Sequence, residues 1–226
     1  MPGWTFAQIW EAAADALPDA PFSRQGDRTV LWRDADRRAD GLAAMLLARG
    51  ARRQHKVVQY LYNSPEYLET VFACFKAALV PVNTNYRYTE DELVYLWDNA
   101  DAIAVVFHGS FRDRIEAIRD GVPGVRTGIW VDEGLGPGRV WARAWEEAAA
   151  TPTARVIPEY GRNGDDLYML YTGGTTGSPK GVMWRQDDPA IVLTGLGLGL
   201  PEDVDQQVLS TKFAQPVLGV PPDLLT

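Results

Sequence analysis

Residues 170–182 read L-Y-T-G-G-T-T-G-S-P-K-G-V. Glycine stands at 173, 174, 177 and 181, and hydroxyls at Thr172, Thr175, Thr176 and Ser178. One lysine, Lys180, lies between Pro179 and Gly181. Glycines let backbone N–H groups approach an anion with no Cβ in the way. Hydroxyls add donors and can ligand Mg²⁺. A lysine adds a mobile positive charge for phosphate oxygens. Asp166–Tyr171 upstream reads as a strand, and Val182–Trp184 downstream as its return. A polar, glycine-rich tip between two apolar runs predicts a hairpin loop. An ordinary hairpin tip needs neither so many glycines and hydroxyls nor a Pro-Lys-Gly step.

Two other phosphate motifs are excluded. A Walker A loop ends G-K-S/T, but here Pro179 precedes the lysine and Gly181 follows it. Gly195-Leu-Gly-Leu-Gly199 misses G-x-G-x-x-G because position 200 is Leu.

Outward from this stretch the chain alternates strands and helices. Thr5 and Gln8 form a capping box that opens a helix to about Leu17, ended by Pro18. Phe22–Gln25 and Arg28–Trp32 bracket Gly26-Asp27 as a hairpin. Asp34 is read as the cap of a helix that runs to Arg49, with Gly50 as its stop and Ala39, Leu42, Ala43, Leu46 and Leu47 on its buried face. Val57–Tyr62 predicts a strand, and Ser64-Pro65 opens a helix to about Ala78. Leu79–Asn83 is a short strand, and Thr89 and Glu92 cap a helix to about Asn99. Ala102–Phe107 reads as a central strand, Ser110–Arg119 as a helix, Thr127–Val131 as a strand and Arg139–Ala150 as a helix. Gly134–Gly138 is turn-rich, and Thr151–Gly164 reads as a linker. Pro189–Leu198 could form a helix weakened by its glycines, and nothing regular is expected beyond Pro201. The alternation predicts an α/β fold, a mainly parallel sheet with helices on both faces. A division falls at 164/165: an α/β subdomain over 1–164, then the signature hairpin and the start of the next subdomain over 165–226.

The 226 residues are 46% hydrophobic and carry net charge −8, a globular composition without a basic stripe, so no nucleic-acid partner is expected. No apolar run approaches the ~20 residues of a membrane span. No charged-then-apolar leader is evident. The single cysteine, Cys74, lies in an apolar run and reads as buried and inert. A cytoplasmic location fits. His55 and His108 have no metal-spaced partners and read as structural. Ser64 and Ser178 lack a G-x-S-x-G setting, which argues against a hydrolase nucleophile. Trp10, Trp97 and Trp145 read as packing. Glu90-Asp-Glu92 suits a helix N-terminus rather than a metal.

The stretch at 171–181 resembles the signature loop of the adenylate-forming superfamily, which holds acyl-CoA synthetases, luciferases and peptide-synthetase adenylation domains. The pattern there is Y/F-T-S-G-T-T-G-x-P-K-G. Tyr171, Thr172, Gly174, Thr175, Thr176, Gly177, Pro179, Lys180 and Gly181 match, and Gly173 replaces the usual Ser. The resemblance runs from the first helix to about Gln186, and Gly181–Gln186 is similar to the acyl-CoA synthetase branch for fatty or steroid-derived acids. It implies ATP, Mg²⁺ and coenzyme A as cofactors and co-substrates, and a small carboxylate as partner. It implies phosphate contacts from Thr172, Gly173, Gly174, Thr175, Thr176, Gly177, Ser178 and Lys180. Lys180 would be the catalytic cation, and Thr175 and Thr176 the Mg²⁺ ligands. Val80-Pro-Val-Asn83 with Tyr86-Arg-Tyr88 resembles a second stretch near the acyl site, and an ordinary loop role for Asn83 and Arg87 stands equally open. The downstream Y-G-x-T-E and T-G-D motifs and the small C-terminal domain have no counterpart in these residues. The expectation is therefore an N-terminal part, inactive alone. The alternative is a non-catalytic phosphate-binding or partner-dependent module, as a homo-oligomer or with the missing half supplied.

Overall fold

The computed structural model describes residues 5–132, 134, 141–172 and 179–188. Helix α1 (Phe6–Ala16) starts at Thr5, whose hydroxyl accepts the Gln8 N–H while the Gln8 side chain accepts the Thr5 N–H. Strands β1 (Pro21–Gln25) and β2 (Arg28–Leu31) form the antiparallel hairpin. Helix α2 (Trp32–Ala48) follows without a break. It begins two residues before the expected cap: Leu31 is the N-cap, with no side-chain bond, and Asp34 lies in the first turn. There the carboxylate favours the helix through its dipole rather than by capping.

The chain then alternates through β3 (Lys56–Tyr60), α3 (Pro65–Lys76), β4 (Val80–Asn83), α4 (Glu90–Asn99) and β5 (Ala102–His108). Pro65 sits at the first turn of α3, where a missing N–H costs nothing. Thr89 and Glu92 close the capping box of α4. The helix expected from Ser110 is broken up. A 3₁₀ turn covers Gly109–Phe111, α5 is Arg112–Ile118, and a second 3₁₀ turn covers Arg119–Gly121. The imidazole of His108, not Ser110, accepts the Ser110 N–H at the start. Strand β6 (Thr127–Val131) comes next.

The helix expected over Arg139–Ala150 proves to be two elements, a strand β7 (Ala142–Ala144) and a short helix α6 (Trp145–Ala149). The edge of β6 supplies the ladder partner that Ala142–Ala144 alone does not advertise. Residues 139 and 140, the expected helix start, lie outside the described residues, as does most of Gly134–Gly138. Strands β8 (Leu167–Thr172) and β9 (Lys180–Arg185) are the expected hairpin. The glycine-weakened helix expected at Pro189–Leu198 and everything after it also lie outside the described residues.

Seven strands form one sheet in the order β7-β6-β5-β3-β4-β8-β9. All pairs are parallel except β8–β9. β5 is interior, but β3 is the middle strand. Alternate residues feed two cores, as the pleat requires. Val57, Ala104, Val106, Ile129 and Val131 pack under α2, α3 and α6. Val58, Tyr60, Val105, Phe107 and Trp130 pack under α4 and α5. Helices therefore cover both faces of a mainly parallel sheet. Trp97 and Trp145 are fully buried, and Trp10 packs against Phe22 and Phe72. Cys74 is buried, and burial pushes its thiol pKa up. No helix among the described residues is long and apolar enough to cross a membrane.

Residues 151–164 hold no regular element but are tied down closely. Arg155 bonds Asp15 and Asp36, the Val156 N–H bonds Asp40, Tyr160 bonds the Ala77 carbonyl, and Arg162 bonds Glu11.

Candidate functional site

The parallel strands end on one edge of the sheet: β3 at Tyr60, β4 at Asn83, β5 at His108 and β8 at Thr172. The carboxyl ends of parallel strands are where ligands bind in open α/β sheets. The glycine-rich stretch leaves the sheet here. Thr172 is the last residue of β8, Lys180 the first of β9, and the two pair directly across the hairpin. Both are exposed. Lys180 enters no ion pair among the described residues, so its ammonium is available to an anion. Gly173, Gly174, Thr175, Thr176, Gly177 and Ser178, the remaining site residues expected from the sequence, lie outside the described residues.

The stem beneath them is defined by Tyr171. Its backbone N–H donates to Asn83 Oδ1 at 2.6 Å, and its carbonyl accepts from Asn83 Nδ2 at 3.1 Å. Its hydroxyl donates to Asn99 Oδ1 at 2.7 Å, and burial raises its pKa. Gly181 pairs with it across the hairpin. A Cβ on Gly181 would stand 3.0 Å from Tyr171 Cε2 and Cζ and 3.3 Å from Met169 Sδ. The glycine after the lysine thus lets the ring lie against the β9 backbone. At the opposite end of the hairpin, Arg53 and Gln54 bond the Asp166 carboxylate, and Gln54 Oε1 accepts the Leu167 N–H.

Beside the stem, the ends of β3, β4 and β5 build an aromatic wall. Tyr60 and Phe111 lie 4.3 Å apart between centroids; Tyr62 lies 4.9 Å from His108, 5.0 Å from Phe111 and 5.1 Å from Tyr86. Tyr62 and Tyr86 are each 40% exposed, so the wall presents flat apolar surface to solvent. The turn after β4 is fixed from below. Tyr60 donates to the Tyr86 carbonyl and accepts from Arg114, which also donates to the Tyr88 carbonyl. Burial raises the Tyr60 pKa, against the lowering effect of Arg114. Arg87 lies with its guanidinium 5.4 Å from the Tyr86 ring centre.

A cation and a hydroxyl therefore face solvent at a sheet edge, next to an apolar surface. That donor set suits an anionic head on an apolar body. The hairpin and Lys180 were legible in the sequence. The Asn83 clamp was only half legible, and the wall of Tyr60, Tyr62, Tyr86 and Phe111 was not, because its members come from the ends of three strands, β3, β4 and β5. His55 and His108 do structural work: each ring accepts a nearby backbone N–H, from Arg52 and Ser110 respectively. No group of three His, Cys, Asp or Glu side chains that could hold a metal occurs among the described residues. The expected Mg²⁺ ligands Thr175 and Thr176 lie outside them.

A family profile described as AMP-binding enzyme matches residues 10–211. The medium-chain acyl-CoA ligase Mig of Mycobacterium avium is 36% identical over 208 residues, covering 86% of this chain and 37% of that ligase. The 3-oxocholest-4-en-26-oate–CoA ligase of Rhodococcus rhodochrous is 35% identical over 190 residues, covering 84% of this chain and 34% of that ligase. The chain thus spans about a third of the length of these curated relatives. Among solved structures, the anthranilate CoA ligase AuaEII in complex with anthranoyl-AMP superposes with a TM-score of 0.77. That match has 22% identity and covers 88% of this chain and 38% of the other. At that identity it speaks to the fold.

Proposed function

This chain belongs to the AMP-binding enzyme family, and on that premise we propose that it serves an ATP-dependent acyl-CoA ligase acting on a fatty or lipid-derived carboxylate. The observation that carries the reading is the hairpin, which brings Thr172 and Lys180 together at the carboxyl edge of a parallel sheet. In the proposed reaction a carboxylate oxygen attacks the α-phosphorus of ATP. The bond to the β-phosphate oxygen breaks, and pyrophosphate leaves. The thiolate of coenzyme A then attacks the acyl carbonyl of the adenylate, and AMP leaves. Lys180 offsets charge on the β- and γ-phosphates as it gathers on the departing pyrophosphate, and the Thr172 hydroxyl donates beside it. Gly173, Gly174, Thr175, Thr176, Gly177 and Ser178 complete the cradle in this reading. Thr175 and Thr176 would hold the Mg²⁺ that accompanies ATP and screens its phosphates.

The aromatic wall is the apolar surface against which an acyl body can lie. Both relatives named above are CoA ligases, one for medium-chain acids and one for a steroid acid. That supports an apolar acid as substrate class and favours the catalytic reading over a non-catalytic phosphate-binding module. The same reading keeps the division at 164/165 and a cytoplasmic setting, the latter supported by the single buried thiol of Cys74.

The test is carboxylate-dependent ATP–pyrophosphate exchange on the purified protein, with medium-chain, long-chain and steroid acids. No exchange is expected from these 226 residues alone. Exchange that requires one of these acids is expected from a protein that also carries the motifs absent here, and it identifies the substrate class. Exchange by the 226 residues alone would overturn the expected inactivity, and turnover by the longer protein indifferent to added carboxylate would overturn the ligase assignment.

A further inference from the structure

The seam between β4 and β8 is the junction on which the hairpin hangs, and the sequence of β4 weakens it. In a parallel strand, main-chain groups of alternate residues point to opposite neighbours. Val80 N–H bonds the His55 carbonyl and Thr84 N–H bonds the Gln59 carbonyl, so the even-numbered residues of β4 face β3. Pro81 and Asn83 therefore face β8. Pro81 has no N–H to offer. The regular ladder between β4 and β8 reduces to a single pair, Val82 with Met169. Just past that point the Asn83 side chain takes over. Its amide accepts from the Tyr171 N–H and donates to the Tyr171 carbonyl, at 2.6 and 3.1 Å. An amide side chain offers an acceptor and a donor on adjacent atoms, so it can replace a peptide unit in a ladder.

Resting on the phosphate reading of the hairpin, we infer that Asn83 is a positioning residue, which fixes the height and direction at which Thr172 leaves the sheet. Asn83 touches no reacting group in this account. It acts through Tyr171, one residue before Thr172 and directly opposite Gly181. The Tyr171 hydroxyl and ring are held separately, by Asn99 and Gly181. Loss of Asn83 therefore frees the backbone of the stem without releasing the side chain or disturbing the β3–β5 core.

The experiment compares wild type, Asn83→Leu and Asn83→Asp in the 226-residue chain. Two readouts are taken: amide hydrogen exchange resolved to single residues, and Mg-ATP affinity by titration calorimetry. In Asn83→Leu the Tyr171 amide should exchange about tenfold faster, the scale of one lost hydrogen bond, while Val58 and Val105 in the core keep their protection. Asn83→Asp keeps the oxygen that accepts the Tyr171 N–H but loses the donor, and should fall between the two. Mg-ATP affinity should decline in the same order. The inference is overturned if Tyr171 exchanges as in wild type, if Val58 and Val105 loosen in step with it, or if affinity is equal in all three proteins. Should Asn83→Leu not fold, Asn83→Asp decides on the same criteria. A wild type that binds no Mg-ATP would sink the phosphate reading, while exchange at Tyr171 would still decide whether Asn83 fixes the stem.

Discussion

Gly181 is glycine for a reason that its backbone angles do not reveal: the ring of Tyr171 occupies the space its Cβ would need. Gly181→Ala must push that ring or the Met169 thioether aside, and overpacking of this kind costs about 1–3 kcal/mol. Thermal unfolding should show a lower midpoint for the variant; an unchanged midpoint would mean the ring moves freely. His55 allows a test against pH. Burial lowers its pKa, and Arg126, Lys56 and Arg52 lower it further. A lowered folded pKa means the unfolded chain takes up the proton first as pH falls. Stability is therefore fully present above the unfolded pKa of about 6.5 and is lost as pH drops through it. Protonation also ends the bond from the Arg52 N–H to Nδ1. Between pH 7 and pH 5 the wild type should lose more stability than His55→Asn, whose amide oxygen can keep that bond without a charge; equal losses would contradict the account. The sequence showed His55 to be without a metal partner and places Arg52 and Lys56 beside it; only Arg126 is brought in by the fold.

At the scale of elements, strong local signals survived and weak ones did not. Both capping boxes, at Thr5 and Thr89, start helices where they were expected. Strand β7 was illegible because Ala-Arg-Ala has no strand character of its own, and it exists by pairing with the β6 edge. Its neighbour Trp141 lies over Gly128 so closely that a Cβ there would be 2.1 Å from the ring. The buried charge cluster under residues 151–164 was equally hidden. Lys76 is fully buried and contacts Glu11 at 2.9 Å, Asp36 at 2.7 Å and Asp40 at 3.0 Å. Arg155 and Arg162 join the same carboxylates from the 151–164 segment. No periodicity marks a lysine as buried, since the partners come from α1 and α2. One cation thus binds three helices and, through shared partners, the segment leading into β8. Lys76→Met leaves Asp40 buried without its cation, with Glu11 and Asp36 held only by Arg162 and Arg155, a change that costs about 3–5 kcal/mol. Urea denaturation should show that loss; a variant as stable as wild type would mean that the cluster is not what holds these helices together.

For the molecule as a whole, the strand–helix alternation foretold the architecture because β3, β5 and β6 each feed two cores and read as largely apolar runs. The sheet order was not legible, since β3 lies between β4 and β5 only through crossovers that pattern alone does not number. The candidate site was legible where it is local, in the 170–182 stretch. It was obscure where it is assembled, at Asn83 and in the aromatic wall. The protein carries net charge −8, so an exposed lysine beside a glycine-rich stretch of sequence is a local exception in an acidic molecule. A phosphate ligand is attracted there against the overall field, and Lys180 should supply much of the attraction. The most direct measurement is titration calorimetry of Mg-ATP into wild type and Lys180→Ala, with circular dichroism to verify the fold. A charge-assisted hydrogen bond contributes about 1.5–3 kcal/mol, so Lys180→Ala should bind roughly 10- to 100-fold more weakly while its spectrum and melting stay those of wild type. Equal affinity in the two proteins would contradict the assignment of this hairpin as the phosphate grip.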